Sequence, residues 1–357
     1  MIDTLGIGGA ERYVTRIAPL LRVRGFELEV CALDASGPLR AELAAAGIKV
    51  HSTRYPERTR GSNTLALVRT VRDIAGLARG FDAVHTYLFW SDVLGGLAGG
   101  LARRRRVIVT RRALHSWRHP RSRFMHALEA VSNLAATEVL ANSQTVLEDA
   151  ARNEPTLPRR RGVVYPGVDV ARYRPAAGHR RGLRMVVVGA LSPRKGQSTA
   201  IEALARVRQA GKQASLDLVG EGPDREALQR QVERLGLATA VNFSGAQADP
   251  RPHLEGADLF LLPSRQEGFS NALLEAMASG LPAVVTDTGG NSEAIEDGCG
   301  GSVVASEDPE AMASALLEWT SSERRTEAGR RNRQRAAERF SLDASAEALA
   351  SWYRSDG

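Results

Sequence analysis

A chain of 357 residues has room for two domains with separate cores, and 43% apolar with 25% charged residues is the balance of an ordinary globular protein, which excludes a disordered or fibrous chain. Cys31 and Cys299 lie far apart and match no metal-ligand spacing, so neither a disulfide framework nor a structural zinc site is indicated, and both read as plain core residues. The net charge of +7 is unevenly shared: residues 1 to 172 hold 26 Lys+Arg against 16 Asp+Glu, and residues 173 to 357 hold 22 against 25.

The basic half suits a phosphorylated substrate or an anionic membrane surface. Nucleic acid is not expected, because the Arg103 to Arg106 run has no interleaved aromatics and no recognition-helix pattern beside it; a solvated loop explains that run as well as a lipid contact. No apolar run reaches bilayer length, and the opening residues lack the order of a signal peptide, which predicts a cytoplasmic protein, with the inner face of the membrane as its place of association.

In chain order, Met1 to Leu5 reads as the tail of an opening strand, shortened at its start. Gly6-Ile7-Gly8-Gly9-Ala10-Glu11 then leads into a helix whose Tyr13, Val14, Ile17, Leu20 and Leu21 share one face. Glycines ahead of a helix start let backbone amides meet an anion, though Glu11 stands where a dinucleotide fingerprint needs glycine, and a tight turn explains the pattern as well. Apolar runs at 27 to 33, 48 to 52, 82 to 87, 107 to 110, 137 to 141 and 162 to 165 read as strands separated by helices. Tyr165 to Asp169 and the polar stretch Arg174 to Gly182 read as an interdomain linker.

The series then begins again. A buried strand at 184 to 189 precedes Gly189-Ala190-Leu191-Ser192-Pro193-Arg194-Lys195-Gly196, a turn in which Lys195, one of three lysines, and Arg194 suit a diphosphate; the alternative is an exposed basic loop. Helices near 198 to 209, 225 to 234 and 271 to 279 alternate with the strands LDLVG, AVNFSG, ADLFLLP, PAVVTD and GSVV. After ADLFLLP comes Ser264-Arg265-Gln266-Glu267-Gly268-Phe269-Ser270-Asn271-Ala272-Leu273-Leu274-Glu275. Ser270 is placed to cap a helix that carries Glu275 in its second turn, and free amides around Asn271 and Ala272 favour an anion. A carboxylate accepts from both hydroxyls of a vicinal diol, which suits Glu267 and Glu275 to a hexose and a ribose. The predicted fold class is α/β: two Rossmann-like parallel-sheet lobes, at 1 to 172 and 173 to 357, sharing an interdomain cleft, with the last helix, about 341 to 357, packing back on the N-terminal lobe.

The Glu267 to Glu275 block, followed by Leu281 to Asp287, Gly289-Gly290, Glu293 and Asp297-Gly298, resembles the donor-binding region of the family 4 retaining glycosyltransferases (GT4, group 1), which have the GT-B fold. Gly8-Gly9-Ala10-Glu11-Arg12, Val84-His85-Thr86 with Ser91-Asp92, Ala141-Asn142-Ser143 and Gly167-Val168-Asp169 extend the likeness over nearly the whole chain in the expected order. The resemblance implies that Glu275 holds the ribose of a nucleotide sugar, Glu267 contacts the transferred sugar and Lys195 neutralises the diphosphate, with Arg194 beside it. Gly268, Phe269, Ser270, Asn271 and Ala272 wrap the donor through their backbones, and Gly8 and Gly9 approach the phosphate or acceptor from the other lobe. Two positions depart from the family pattern. Ala190 stands where an arginine is common, and Arg112, with His115 as the reserve, fits a position that many relatives fill with a sugar-contacting histidine.

The implied reaction moves a sugar from a nucleoside diphosphate to a hydroxyl of a glycan or lipid-linked acceptor, in polysaccharide, lipopolysaccharide or other glycoconjugate synthesis. No cofactor is implied, and no D-x-D pair calls for a metal. A sugar-nucleotide epimerase of the same fold and a non-catalytic subunit are the alternatives. A glycoside hydrolase fits less well, because two carboxylates must flank the scissile bond there.

Overall fold

The computed structural model describes residues 1–53, 55, 64–104, 106–115, 123–175 and 182–355. Strands and helices alternate as β1 (Ile2–Thr4), α1 (Gly9–Val23), β2 (Val30–Asp34), α2 (Leu39–Ala45), β3 (Val50–Ser52), α3 (Thr64–Ala78), β4 (Ala83–Tyr87), α4 (Phe89–Leu101), β5 (Arg106–Arg111), α5 (Arg123–Ala135), β6 (Glu138–Ala141), α6 (Gln144–Asn153) and β7 (Arg160–Val163). The second series is β8 (Leu183–Val188), α7 (Gln197–Gln209), β9 (Ala214–Val219), α8 (Arg225–Arg234), β10 (Val241–Gly245), α9 (Arg251–Glu255), β11 (Leu259–Leu262), α10 (Asn271–Ala278), β12 (Ala283–Thr286), α11 (Asn291–Ala294), β13 (Gly301–Val304), α12 (Pro309–Glu318), α13 (Ser322–Arg339) and α14 (Leu342–Arg354).

Two units result, one of Met1–Pro166 with Leu342–Gly357, the other of Gly167–Ser341. Chain division therefore falls between Pro166 and Gly167 rather than after Arg172. Of the stretch read as a linker, residues 176–181 lie outside the described residues, and the chain on either side of them belongs to the second unit.

The first unit holds a seven-stranded sheet in the order β3-β2-β1-β4-β5-β6-β7, with every pairing parallel. On one face Tyr13, Ile17 and Leu21 of α1 pack with Leu43 of α2 and Leu349 of α14 against Ile2, Ala32 and Ile108. On the other, Ile74 of α3 and Leu94 and Ala98 of α4 cover Leu33. The helix α14 is fastened by side chains as well as packing. Tyr13 Oη and Ser345 Oγ lie 3.0 Å apart, the Trp352 indole donates to Glu138 at 2.7 Å, and Tyr353 Oη meets His85 Nδ1 at 2.5 Å.

A six-stranded parallel sheet, β10-β9-β8-β11-β12-β13, forms the second unit. Leu183, Met185 and Val187 recur at the two-residue strand period and meet Ile201 and Leu204 of α7 and Met312, Leu316 and Trp319 around α12. Trp319 is fully buried, and its indole donates to Ser302 Oγ at 2.8 Å, which satisfies the one polar atom that burial would otherwise strand. Both cysteines are half-buried free thiols: Cys31 packs against the core under α3 and α4, as its core reading expects, whereas Cys299 stands in no core cluster among the described residues.

Candidate functional site

In each sheet the strand order reverses once, between β1 and β4 and between β8 and β11. Open parallel sheets bind ligands outside the carboxyl ends of their strands at such a switch point, because the loops there diverge to opposite faces and leave a crevice. In the second unit the two loops concerned are Gly189 to Gly196 after β8 and Pro263 to Ser270 after β11.

Glycine geometry brings these loops together. Gly196 has φ 65°, and a Cβ there would lie 2.0 Å from the Pro263 carbonyl oxygen, so only glycine permits this approach. Arg265 N donates to Arg194 O at 2.8 Å. Lys195 and Glu267, 72 residues apart, consequently meet: the ammonium donates to Glu267 Oε2 at 2.6 Å, with side chains only 17% and 10% exposed. Ser264 Oγ donates to the same oxygen at 3.2 Å.

Behind Glu267, Gly289 (φ 56°) brings its Cα so near that a Cβ would sit 2.2 Å from the Glu267 carbonyl, and Gly290 N donates to Gly268 O at 2.7 Å. Ser270 caps α10 as its type predicts, with extended backbone (φ −86°, ψ 116°) and Oγ accepting from Leu273 N at 3.3 Å. Asn271 and Ala272 are the first residues of α10, where amides lack intrahelical acceptors and the helix dipole favours negative charge. Glu275 follows on the same helix, 8% exposed. The Phe269 ring turns inward and packs on Phe340 with centroids 5.5 Å apart, leaving its backbone to the loop. Ala190 is exposed, and its carbonyl accepts from Gln197 Nε2 at 2.8 Å, so this turn is pinned by an amide side chain.

In the first unit Gly8 is the extended N-cap of α1 (φ −139°, ψ 171°) and Gly9 its first residue. Glu11 faces back toward Gly8 and accepts from Thr4 Oγ1 at 3.2 Å. Arg112, just past β5, lies half-buried with its guanidinium carbon 4.8 Å from the Tyr13 ring centroid. Burial lowers its pKa, against the opposing pull of Tyr13, Tyr87 and Glu11. Gly8, Gly9 and Arg112 therefore gather around the start of α1, while Lys195, Arg194, Glu267 to Ala272 and Glu275 gather in the other unit.

Adjacent Arg111 has a different fate. It is buried and joined to Glu154 (2.9 Å), Asp92 (2.8 Å) and Asn133 (2.6 Å). Although burial disfavours its charge, the carboxylates of Glu154 and Asp92 raise its pKa overall. His115 belongs to the edge of that cluster: Nδ1 lies 3.6 Å from Glu129, and the ring stacks on His126 at 4.8 Å. Among the described residues His115, Glu129 and Glu154 are the one group with metal-ligand spacing, but Arg111 already stands on Glu154 and lies 3.8 Å from Glu129. This cluster reads as a buried charge network.

Residues 7–172 match the family model described as Glycosyltransferase Family 4, and residues 182–322 match the one described as Glycosyl transferases group 1. The chain belongs to the group 1, family 4 glycosyltransferases of GT-B fold. This glycosyltransferase is 29% identical to a D-inositol 3-phosphate glycosyltransferase of Nocardia farcinica, over 87% of its own length and 76% of the relative's. It is 36% identical to a GDP-mannose-dependent alpha-(1-6)-phosphatidylinositol monomannoside mannosyltransferase of Mycolicibacterium smegmatis over 46% of its own length, and spans 48% of that relative. Among solved structures it is similar to Anabaena HepE in complex with UDP-glucose, with TM-score 0.83, 25% identity, and coverage of 99% of this chain and 98% of the other.

Sequence reasoning assigned no role to the shell that holds the Glu267 loop of the glycosyltransferase. The Ser264 carbonyl accepts from Thr286 Oγ1 at 2.6 Å and Thr288 Oγ1 at 3.2 Å, and Asn291 Nδ2 donates to Thr286 O at 3.2 Å. Their signal was the run of small residues from Thr286 to Ser292, at the end of β12 and just after it. In the first unit Leu88, which precedes α4, has φ 76° and ψ 161°, a conformation that normally requires glycine. Nothing in the residue type Leu announces it.

Proposed function

We propose that this glycosyltransferase moves a sugar from a nucleoside diphosphate sugar to an acceptor hydroxyl with retention at the anomeric carbon. The Lys195–Glu267 pair at the amino end of α10 carries this reading. It offers a cation for the diphosphate and a carboxylate for sugar hydroxyls within one hydrogen bond of each other. Glu275, one turn further along the helix, accepts from the ribose hydroxyls, and Arg194 adds charge beside Lys195. Gly268 to Ala272 line the donor with backbone amides. The relationship to a protein solved with UDP-glucose and to a GDP-mannose-dependent enzyme supports a nucleotide sugar as donor.

In the transfer step the bond from the anomeric carbon to the diphosphate oxygen breaks and the diphosphate leaves with the electron pair. Lys195 and the α10 amides stabilise that charge, so a divalent ion is not required. The acceptor oxygen bonds to the anomeric carbon on the same face, and its proton passes to the departing phosphate oxygen. In the first unit, Arg112 and the Gly8-Gly9 turn offer a guanidinium and helix-start amides, groups suited to a phosphate or an anionic acceptor. The acceptor is a glycan or lipid-linked molecule of glycoconjugate synthesis, met on the cytoplasmic face of an anionic membrane.

Purified protein incubated with UDP-, GDP- and ADP-sugars tests the reading. Slow donor hydrolysis, or transfer on addition of an acceptor, with retained anomeric configuration by NMR and undiminished by EDTA, is the expected result. Interconversion of free donors would make it an epimerase instead. Binding without any turnover would leave a non-catalytic subunit.

A further inference from the structure

A helix that covers a parallel sheet ordinarily turns one stripe to the strands and a polar stripe to water. α4 does otherwise. Trp90, Leu94, Leu97 and Leu101 recur at helical spacing and form the floor of a groove of about 510 Å³, walled by Val68 and Val71 of α3 and by Phe124 and Leu128 of α5. The rim is open to solvent: Val68 is 44% exposed, Leu101 54% and Phe124 63%, and Leu65, Val131 and Leu134 continue the patch at 70%, 42% and 74%. Of the nine exposed large apolar side chains among the described residues, these six stand on α3, α4 and α5, a seventh, Leu77, lies on another face of α3 beside Phe81, and none stands in the second unit. Such clustering marks an interaction surface rather than scattered surface residues.

The charges beside the patch indicate what covers it. Leu65, Val68, Arg69 and Arg72 occupy one face of α3 at i, i+3, i+4 and i+7, with both arginines exposed, and exposed Arg103 follows Leu101 at the end of α4. Asp73, also exposed, stands one turn beyond Arg69 at the edge of this face, so three exposed arginines meet one exposed carboxylate there, and Glu129 of α5 is buried. Apolar side chains fringed by arginine suit the boundary between headgroups and acyl chains of an anionic bilayer, where the apolar groups insert and the guanidinium groups meet lipid phosphate. No described helix is long and apolar enough to cross a membrane.

We propose that the groove over α4, between α3 and α5, is the surface by which this glycosyltransferase rests on an anionic lipid bilayer. It deepens the reading of a membrane-face acceptor and rests on it for its purpose, not for its geometry.

The test is flotation of the full chain with vesicles of phosphatidylcholine alone or mixed with phosphatidylglycerol. Wild type should float with the mixed vesicles, weakly with phosphatidylcholine, and less as salt is raised. The exposed pair Phe124→Ser with Leu134→Ser should lower bound protein at least about tenfold, the scale set by removing two inserting side chains, and Arg69→Glu with Arg72→Glu should do the same for the anionic vesicles only. Circular dichroism and donor hydrolysis in the absence of vesicles should match wild type for both variants, which separates loss of docking from failure of the donor site. Equal flotation of wild type and both variants, or none by wild type, would overturn the proposal. A dimer in solution that the Phe124 and Leu134 changes dissolve would reassign the surface to a second copy of the chain.

Discussion

Lys195 donates to Glu267 across 2.6 Å, although 72 residues and three strands of chain separate them. Removing the ammonium leaves a nearly buried carboxylate without its cation and, on the proposed role of Lys195, takes charge stabilisation from the leaving diphosphate. Lys195→Ala should lower kcat by about 100-fold, the scale of one lost electrostatic group, and cost about 1–2 kcal/mol of stability, less than for a fully buried pair. Glu267→Gln should restore the stability of the Lys195→Ala chain but not its turnover. Initial rates and thermal melts of the single and double variants check both halves; additive stability losses would refute the coupling.

Glu275 is assigned to ribose hydroxyls rather than to chemistry. Glu275→Ala should weaken binding of a nucleoside diphosphate by about 10- to 100-fold, the value of charged hydrogen bonds of about 1.5–3 kcal/mol. Calorimetry with UDP and GDP measures it. Affinity unchanged for both nucleotides would remove Glu275 from the site.

Gly196 joins the loop after β8 to the loop after β11. With φ 65° and the Pro263 carbonyl 2.0 Å from where a Cβ would stand, Gly196→Ala must push the Lys195 turn away from the Glu267 loop. The left-handed backbone alone costs about 1 kcal/mol, and the clash adds to it. A fall in melting temperature together with weaker nucleotide binding is expected. The contrasting control is Gly211→Ala, also left-handed at φ 77° but with nothing within 4 Å, which should lose stability alone.

His85 makes the first unit sensitive to acid. Burial chiefly, then the neighbouring positive groups, hold its pKa well below 6.5 in the folded chain. The unfolded chain then binds the proton more readily, so the contribution of neutral His85 is complete above about pH 6.5 and is lost as pH falls below that value, by at most about 1.4 kcal/mol per pH unit. His85 Nε2 lies 2.7 Å from Thr110 Oγ1 and Nδ1 lies 2.5 Å from Tyr353 Oη, so His85→Gln keeps partners in reach without the titration. Urea midpoints between pH 7 and pH 5 should fall less steeply for this variant than for wild type.

The helix α14 is distant in sequence from the unit it completes. Trp352 fills the space beside Gly162, where a Cβ would come within 2.6 Å of its ring, and its indole is bonded to Glu138. Because the ring is half-buried, Trp352→Ala should cost about 2–3 kcal/mol, below the range for full burial. The loss should appear in the melting of the first unit, while a nucleotide continues to shift the melting of the second.

Much of this was legible in the residues. The alternation of short apolar runs with amphipathic ones predicted two parallel-sheet lobes, because a strand buried on both faces has to be apolar throughout while its covering helix is apolar on one side. The helix read at 225 to 234 is α8 with the same limits, and Ser270 caps α10. Strand limits shifted where local pattern and pairing disagree. The apolar run 27 to 33 begins its ladder only at Val30, because its neighbour β3 begins at Val50, opposite Val30.

The candidate residues were legible by type, and their partners were not. Arg111 and Arg112 are identical neighbours in sequence. One is buried among Asp92, Asn133 and Glu154, and the other lies over Tyr13. Which arginine turns inward depends on carboxylates 19 and 43 residues away, brought near by β4, α4 and α6.

By itself, then, the sequence determined the strand and helix order, the Ser270 cap of α10 and the glycine turns, all of which follow from local backbone and side-chain preferences. Tertiary structure alone decided that Lys195 meets Glu267, that the chain divides at Pro166, and that an apolar groove lies between α3, α4 and α5. Each of those depends on contacts between segments far apart in the chain, whose spacing is set by sheet order and loop closure rather than by any neighbouring residue.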